Sequence, residues 1–327
     1  MLSNSDVPPD GFINTGLIVL PTTLTRAFNL QANLPVPRMW QATTVYQNRI
    51  YAFGGSANST YTDSNSVMNQ MFDPGANAWY VKNPMYYPRF AATAVVFDNT
   101  IFVIGGFNGS TWVSANEAYS PDSDSWSGSK PASIPNPALG AAGVRYMNNV
   151  MVFGGDGGST ALMQVYTPQS NQWSTFNTRA PQFTGGGSVL VGSRLYILGG
   201  NIKGFNPGAT TSVYGYLDLS NLSWTSIPAP SSVGFYFSGA ALLNGKIYMM
   251  GGVNYNGSSW SSVYVLDYST NTWTNSTIEL AVAAAGLSAA AVGNIMYVIG
   301  GGTNLNGPPL ASTQASEANL FYLLRKL

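Results

Sequence analysis

Residues 101–106 read Ile-Phe-Val-Ile-Gly-Gly, a short hydrophobic run that ends in two glycines. The same pattern occurs six times in the chain, at intervals of 45 to 52 residues. A period near 50 residues is typical of repeat architectures, in which each copy is one supersecondary unit that packs on its neighbours. The six pairs are Gly54-Gly55, Gly105-Gly106, Gly154-Gly155, Gly199-Gly200, Gly251-Gly252 and Gly300-Gly301.

Five of the six glycine pairs are followed by a tryptophan after 19 to 25 residues. Between these landmarks the sequence predicts four short strands in each repeat. A small apolar strand comes first, and a turn such as Asn244-Gly245, which is typical of a tight hairpin, follows it. The second strand runs into the glycines, the third carries an apolar residue seven positions before the tryptophan, and the fourth contains the tryptophan. The five residues are Trp79, Trp126, Trp173, Trp224 and Trp273.

The doubled glycine, the aromatic or methionine residue three positions before it, and the spaced tryptophan resemble the Kelch repeat over residues 22–324. One copy would be weak evidence, but six copies in frame are specific. The resemblance implies an all-β fold, a six-bladed β-propeller with four-stranded antiparallel blades. The residues three positions before the glycines are Tyr51, Phe102, Met151, Tyr196, Tyr248 and Tyr297.

The sixth repeat has its glycine pair but no tryptophan. The apolar run at residues 319–324 is predicted to be its third strand, so a fourth strand has to come from elsewhere. Phe28 lies at the same distance from a Pro-Arg pair as Trp79 does. We therefore expect residues 22–31 to close the ring as an N-terminal strand with Phe28 in the tryptophan position, because closure removes open sheet edges.

The predicted organisation is a single propeller at residues 22–327, preceded by an N-terminal extension at residues 1–21. The extension carries two apolar runs with six residues outside the repeat frame, and each exposed apolar side chain forgoes roughly 1.5–3 kcal/mol of burial. We expect it to bury them either on its own propeller or in a neighbouring copy. The second option makes the extension an assembly arm and the protein a homo-oligomer or filament. The six residues are Phe12, Ile13, Leu17, Ile18, Val19 and Leu20.

The chain has 327 residues, of which only 8% are charged, with 13 of each sign and a net charge of zero. A typical soluble protein has roughly 25% charged residues. A neutral chain lacks the basic footprint that attracts nucleic acid or anionic lipid. The apolar run at residues 16–20 is too short to span a bilayer, and no signal peptide is visible. We therefore expect no nucleic-acid partner and no membrane insertion.

Histidine and cysteine are both absent from the sequence. This absence excludes disulfides, thiolate nucleophiles, imidazole metal sites and histidine proton shuttles, so we expect no metal and no cofactor. Copper-radical oxidases have a Kelch-like propeller, but their chemistry needs histidine and cysteine, so the resemblance does not extend to it.

Most carboxylates have a structural explanation. Glu117 shares its repeat position with Gln70 and Gln164, which indicates a role in the frame. Three aspartates lie six positions before a tryptophan, where a short acid caps the turn between strands three and four: Asp73, Asp218 and Asp267. The remaining loop acids assemble into no convincing catalytic pair, so the prediction is that the protein is not an enzyme. The alternative is a glycan-active enzyme. Two acids about 5–10 Å apart in the central pocket would support it.

Two arginines begin first strands, Arg38 and Arg89. The resemblance implies a ligand-binding role for them, because Kelch-like propellers often present arginines at this position to an acid of a bound peptide. Packing or a local hydrogen bond is the alternative.

Loops after the glycine pairs are rich in aromatic residues beside asparagines. They should share one end of the propeller with the connections between blades. Planar side chains beside amides suit a protein partner or a glycan, although several could instead pack back onto the blades. The candidate ligand-binding residues are Tyr61, Phe107, Trp112, Tyr255 and Trp260.

The low charge also indicates where such a protein works. A surface of amides and hydroxyls keeps its properties across pH and salt, and a net charge near zero gives little repulsion between copies. The sequence therefore predicts a non-enzymatic interaction or structural module located outside a cell, on a cell surface or on a virion. A carbohydrate-binding adhesin that uses the aromatic loops is the first alternative.

Overall fold

A computed structural model describes residues 28–57, 64–155, 161–201, 212–231, 234–254 and 257–316. Within these residues, twenty-four strands form six four-stranded antiparallel sheets, and a single 3₁₀ turn spans Ser64–Val67. In chain order the strands are β1 (Phe28–Leu30), β2 (Ala42–Tyr46), β3 (Arg49–Phe53), β4 (Asn69–Asp73), β5 (Ala78–Lys82), β6 (Thr93–Phe97), β7 (Thr100–Ile104), β8 (Glu117–Ser120), β9 (Ser125–Trp126), β10 (Ala142–Tyr146), β11 (Asn149–Phe153), β12 (Leu162–Thr167), β13 (Gln172–Asn177), β14 (Gly187–Val191), β15 (Arg194–Asn201), β16 (Ser212–Asp218), β17 (Ser223–Ser226), β18 (Gly239–Leu243), β19 (Lys246–Met250), β20 (Ser262–Asp267), β21 (Thr272–Glu279), β22 (Ser288–Val292), β23 (Ile295–Ile299) and β24 (Thr313–Ser316).

Each sheet is one blade of a propeller. Blade 1 contains β2 to β5, blades 2 to 5 follow in the same way, and blade 6 contains β22, β23, β24 and β1. The first strand of each blade contacts the first strands of both neighbouring blades, so these six strands surround the axis. The predicted six-bladed propeller with four-stranded antiparallel blades is confirmed.

The N-terminal strand closes the ring as predicted. Phe28 pairs with Ser316 of β24, in the register in which Trp79 pairs with Phe72 in blade 1. Phe28 is also buried between blades 5 and 6, where it fills the place of the tryptophan. The rest of the expected closing segment and the extension at residues 1–21 lie outside the described residues, as do the assembly candidates.

One boundary prediction was wrong. The third strand of blade 6 is β24, at Thr313–Ser316, and not the apolar run at residues 319–324, which lies outside the described residues. The strand reads Thr-Gln-Ala-Ser and is buried along its whole length. A buried strand of polar residues carries no hydrophobic signal, so the sequence pattern favours the more apolar run nearby.

The core lies between neighbouring blades, where the face of one sheet packs on the next. Between blades 1 and 2, for example, Phe53, Ile101 and Tyr119 are fully buried and Trp126 packs on them. Among the described residues, no helix is long and apolar enough to cross a bilayer.

The glycine pairs let neighbouring blades approach closely. Gly105 has a φ of +68°, and a Cβ atom there would lie 2.6 Å from the carbonyl oxygen of Ala138 in blade 3. Its neighbour Gly106 donates its backbone N–H to that same oxygen at 2.7 Å. The first glycine therefore makes room for the next blade, and the second glycine holds it.

This hydrogen bond recurs at all six boundaries between blades, including the boundary between blades 6 and 1. We call the set the glycine ring. Its donor and acceptor residues are Gly55 and Arg89, Gly106 and Ala138, Gly155 and Phe183, Gly200 and Phe235, Gly252 and Ala284, and Gly301 and Arg38.

A second ring of backbone hydrogen bonds surrounds the axis just before the first strands. Each residue donates to the equivalent residue of the preceding blade, at 2.7 to 3.0 Å, and the sixth bond returns to the first blade. All six residues have positive φ. We call this set the axial ring: Trp40, Ala91, Gly140, Gly185, Phe237 and Gly286.

The tryptophans link the blades at their outer side. The indole N–H of Trp173 donates to the backbone oxygen of Ala132 in the preceding blade at 2.8 Å. Trp79, Trp126 and Trp273 make the same contact with Ala32, Asn83 and Pro228. Trp224 differs, because its indole donates to Ser226 on its own strand.

Candidate functional site

One end of the propeller carries both the loops after the glycine pairs and the connections between blades. Isolated backbone bridges join Phe90 to Phe107 and Tyr236 to Val253, so the residues before a first strand lie beside those after a second strand. The predicted shared end is therefore present, and we call it the loop face.

Two aromatic side chains close the axis near the loop face. Trp40 and Phe237 have ring centroids 4.5 Å apart and nearly perpendicular planes. They are 6% and 3% exposed, and they lie over Gly286 and Gly185, where a Cβ atom would collide with them. The other axial-ring positions hold glycine or alanine, so two large side chains fill the space that six blades leave. A buried apolar layer that includes Met39, Phe90 and Leu139 packs on them.

The first strands enclose a central cavity of about 300 Å³ that is bounded at one end by this aromatic pair. Its walls carry hydroxyls, including those of Thr43, Thr93, Ser188 and Ser288. The described residues that line it include no Asp, Glu, Lys or Arg. The paired acids required by a glycosidase mechanism are therefore not found among them. No cluster of three or more metal-ligating side chains occurs in the described part of the chain either.

Arg89 lies inside blade 2, and its guanidinium has no exposed surface. One of its amino groups lies 2.7 Å from the carboxylate of Glu117, and the other donates to the carbonyls of Gly105 and Ala115. Burial lowers the pKa of Arg89, and the neighbouring Glu117 opposes that shift. Glu117 also accepts the backbone N–H of Tyr86 at 2.6 Å. This ion pair is structural, because breaking it would leave a buried charge without compensation.

Arg38 occupies the equivalent position in blade 1 and is likewise fully buried. It donates to the carbonyl of Gly54, as Arg89 donates to that of Gly105. Neither arginine reaches the surface, so the ligand-binding role considered for Arg38 and Arg89 does not fit their positions. Their geometry matches the alternative, packing with local hydrogen bonds. The reason is that an arginine before a first strand is directed at the carbonyl of the first glycine in its own blade.

Among the candidate aromatics, Trp112 is the most exposed in the described part of the chain, at 39%. Its ring packs on that of Phe107 with centroids 5.1 Å apart, and Phe107 packs edge-on against Phe90. The loop between them is held by Asn108, whose side-chain oxygen accepts the backbone N–H groups of Ser110 and Thr111. The exposed indole of Trp112 is therefore held in place by the ring of Phe107 and by the hydrogen-bonded loop.

The remaining candidates are not brought together with this pair. Trp260 lies on blade 5, on the opposite side of the ring, and is half-buried against Phe235 with ring centroids 5.3 Å apart. Trp260 therefore packs onto its blade, which is the alternative to ligand binding for these aromatics. Tyr61 and Tyr255 lie outside the described residues.

Sequence reasoning missed two features of this region, the aromatic pair on the axis and the partner of Arg89. The first had a signal, because Trp40 and Phe237 are the only large side chains at their repeat position. The pairing of Arg89 with Glu117 had no such signal, because spacing does not show which side of the blade a side chain faces.

Comparisons with known proteins identify relatives of the chain. A family model described as the KLHDC2/KLHL20/DRC7 Kelch-repeats domain matches residues 10–186 and 185–312. Kelch-like protein 35 of Mus musculus is 27% identical over 234 residues, which are 69% of this chain and 37% of that protein. Kelch-like protein 36 of Bos taurus is 28% identical over 268 residues, 78% of this chain and 42% of the relative. The chain spans less than half the length of these relatives.

A solved structure, that of YjhT, has a similar fold. It superimposes with a TM-score of 0.72 and 18% sequence identity, over 86% of this chain and 96% of the other. At this identity the likeness concerns the fold alone.

Proposed function

The chain belongs to the Kelch-repeat family of β-propellers, and from that premise we propose that it is a non-enzymatic module that binds a protein partner through its loop face. One observation carries the proposal. Trp112 is exposed on the loop face, and the residues beneath it hold it in one place. Tryptophan is one of the three residue types that are enriched among the residues that dominate the energy of protein interfaces.

The other features of the loop face are compatible with a surface contact. The axis is closed by Trp40 and Phe237, so a partner has no deep entrance to the channel from this side. The two arginines near the axis are buried, which leaves recognition to aromatic and amide side chains of the loops. A contact of this kind depends on shape and apolar burial more than on charge.

Two matched variants test the proposal. Trp112→Ala removes the exposed indole, and Tyr80→Ala removes an aromatic of similar exposure, 46%, from the outer strand of blade 1. A partner identified by cross-linking to the wild-type protein is purified and titrated against both variants. We expect Trp112→Ala to weaken binding by about 2 kcal/mol, roughly thirtyfold, and Tyr80→Ala to leave it unchanged. Equal binding of the purified partner to all three proteins would contradict the proposal.

A glycan ligand is the alternative occupant of the same face. Trp112 lies next to the amide of Asn108, a combination that also suits sugars. A glycan array probed with the wild-type protein and with the double variant Trp112→Ala/Trp260→Ala separates the two cases. A specific glycan that is lost in the double variant favours the adhesin over the protein-binding module.

We also propose that copies of the chain associate with one another, and that residues 1–21 act as the assembly arm. The support comes from the charges. Five ion pairs neutralise most of the charged side chains that the structure describes, so little repulsion opposes association: Arg49 with Asp73, Lys82 with Asp124, Arg89 with Glu117, Arg145 with Asp98, and Lys246 with Asp267. Light scattering across a concentration series should detect oligomers of the full chain and monomers after deletion of residues 1–20. A full chain that stays monomeric at high concentration would refute it.

The same neutral surface leads us to propose a location outside the cell, on a cell surface or on a virion. Antibody labelling of intact cells or particles tests this location. Labelling only after permeabilisation would place the protein inside.

A further inference from the structure

Blade 2 departs from the other blades at its outer edge. Its outer strand β9 has two residues, the shortest in the described structure. The residue that accepts the indole N–H of the next blade follows Trp126 by six positions, at Ala132, but follows Trp79 by only four, at Asn83. Two other blades also have the shorter spacing, from Phe28 to Ala32 and from Trp224 to Pro228. Blade 2 therefore contains two extra residues, which lie in the segment 127–131.

Beneath this segment the blade is thinner than its neighbours. Ala118 pairs with Phe102 at a position where four other blades have larger side chains. Those side chains are Met71, Val165, Tyr216 and Val265, and the sixth blade has Ala315. The longer segment and the smaller side chain together open a groove of about 400 Å³ between blades 2 and 3, which we call the blade-2 groove.

The lining of the blade-2 groove combines hydroxyls with aromatic and other apolar surface, of which the apolar part is the larger. Five serine and threonine hydroxyls lie along it, and the rings of Phe102 and Tyr166, with centroids 5.5 Å apart, form part of its wall. The hydroxyls of Ser125 and Ser127 already bond to Ser123 and Ser129. The hydroxyls of Thr100, Ser120 and Ser129 would lose hydrogen bonds to water against an apolar ligand, which is unfavourable. A sugar can replace them and can also pack a ring face against the aromatic wall. The hydroxyls belong to Thr100, Ser120, Ser125, Ser127 and Ser129.

An added peptide strand fits the groove less well. The outer edge of β8 is already occupied at this point, because Ser127 donates its backbone N–H to Ala118 at 2.8 Å and β9 pairs with the last two residues of β8. Strand addition needs a row of open backbone groups.

Lys130, which is positively charged, belongs to the lining of the groove and to that of the small neighbouring pocket beside Tyr87. Its ammonium group donates to the hydroxyl of Tyr87 at 2.8 Å and lies 5.1 Å from the centre of that ring. This contact raises the pKa of Lys130, so the group remains charged. In the described part of the chain Lys130 forms no ion pair, whereas Lys82, Arg145 and Lys246 each face a carboxylate. We propose that the blade-2 groove binds a small saccharide that carries a carboxylate, with Lys130 contacting the acid group.

Calorimetric titration of the full chain with three probes tests this site. The probes are an oligogalacturonate, sialyllactose and lactose, which separate a uronate, a sialate and a neutral sugar. Two variants close the groove: Ala118→Met, which introduces the side chain that blade 1 has at this position, and deletion of residues 128–129. Lys130→Gln removes the charge, and Tyr80→Ala on the outer strand of blade 1 is the control. Thermal unfolding establishes that each variant is folded.

We expect at least one acidic probe to bind the wild type and Tyr80→Ala equally, and to bind both closed variants at least about tenfold more weakly. Lys130→Gln should bind the acidic probes no better than lactose. The proposal is overturned if no acidic probe binds, if binding persists in both closed variants, or if the wild type binds lactose as tightly as the acids. Should both closed variants unfold, the comparison of acidic and neutral probes on Lys130→Gln still decides.

Discussion

Around the axis the six blades make the same contacts, whereas on the rim they differ from one another. The axial ring and the glycine ring repeat at every boundary, and both consist of backbone groups. The outer strands range from two residues in β9 to eight in β21, and their aromatic anchor is tryptophan in five blades and Phe28 in the sixth. The difference indicates that glycine geometry at the axis determines closure, while the rim and the loops are free to vary and to acquire binding sites.

Removing the closing strand should have the largest effect of any change considered. Deletion of residues 1–31 takes away β1 and leaves blade 6 with a buried edge that has lost its hydrogen bonds. We expect most of the stability to be lost in thermal unfolding. Deletion of residues 1–20 is the matched control, because it keeps β1 and should leave the melting temperature nearly unchanged. If the longer deletion melts like the full chain, closure by β1 does not matter for stability.

A methyl group added at the axis should cost far more than one added at the rim. Gly105→Ala forces a Cβ atom to 2.6 Å from the carbonyl of Ala138 at a φ of +68°, and we expect a loss of about 3 kcal/mol. Gly128→Ala on the rim meets no atom within 4 Å and should be neutral or slightly stabilising. Chemical denaturation of both variants measures the difference. Similar losses would contradict the distinction between axis and rim.

The hydrogen bonds of the rim should be worth less than the packing at the axis. Trp173→Phe removes the indole N–H that reaches Ala132 in the neighbouring blade, whereas Trp224→Phe removes one that reaches Ser226 on the same strand. Both variants lose similar volume, so their difference isolates the contact between blades, which we expect to be about 1 kcal/mol. Equal destabilisation in denaturant titrations would show that these contacts do not hold the blades together.

A hairpin turn away from both regions offers a small gain. Met147 has a φ of +52° and is 70% exposed, in a turn where blade 5 has Asn244. Met147→Asn should raise the free energy of unfolding by about 0.5 kcal/mol, because asparagine tolerates a positive φ better than methionine. A lower melting temperature would indicate that the methionine makes a stabilising contact.

Changes of pH near neutrality should have the smallest effect. Hydrogen bonds from Lys246 and Ser269 lower the pKa of Asp267, and burial raises the pKa of Tyr248 to about 12. Because the pKa of Asp267 is lower in the folded protein, its carboxylate stabilises the fold at pH values above its unfolded pKa of about 3.9. This stabilisation is lost in acid. Because the pKa of Tyr248 is higher in the folded protein, its phenol stabilises the fold at pH values below its unfolded pKa of about 10. This stabilisation is lost in base. Calorimetry should therefore find a flat melting temperature between about pH 5 and 9, and a clear slope there would require another titrating group.

Features that repeat in the sequence could be predicted, and features that depend on the surroundings of a single residue could not. The glycine pairs, the place of Phe28 and the turn-capping role of Asp73, which accepts the backbone N–H groups of Gly75 and Ala76, follow from spacing alone and are confirmed. The polar strand β24 and the orientation of Arg89 were missed. The strand β24 is buried although most of its residues are polar, and Arg89 faces Glu117 within its own blade; spacing records neither fact.

The two rings of backbone hydrogen bonds are continuous and have no starting point, whereas the gene that encodes them starts at one particular blade. Every boundary between blades carries the same two bonds, and the boundary at which the chain closes differs from the others only in the strand that β1 supplies. A circularly permuted gene that started at any other blade would therefore encode the same rings. Duplication of single blades followed by rejoining of the ring is an evolutionary route that such an arrangement leaves open.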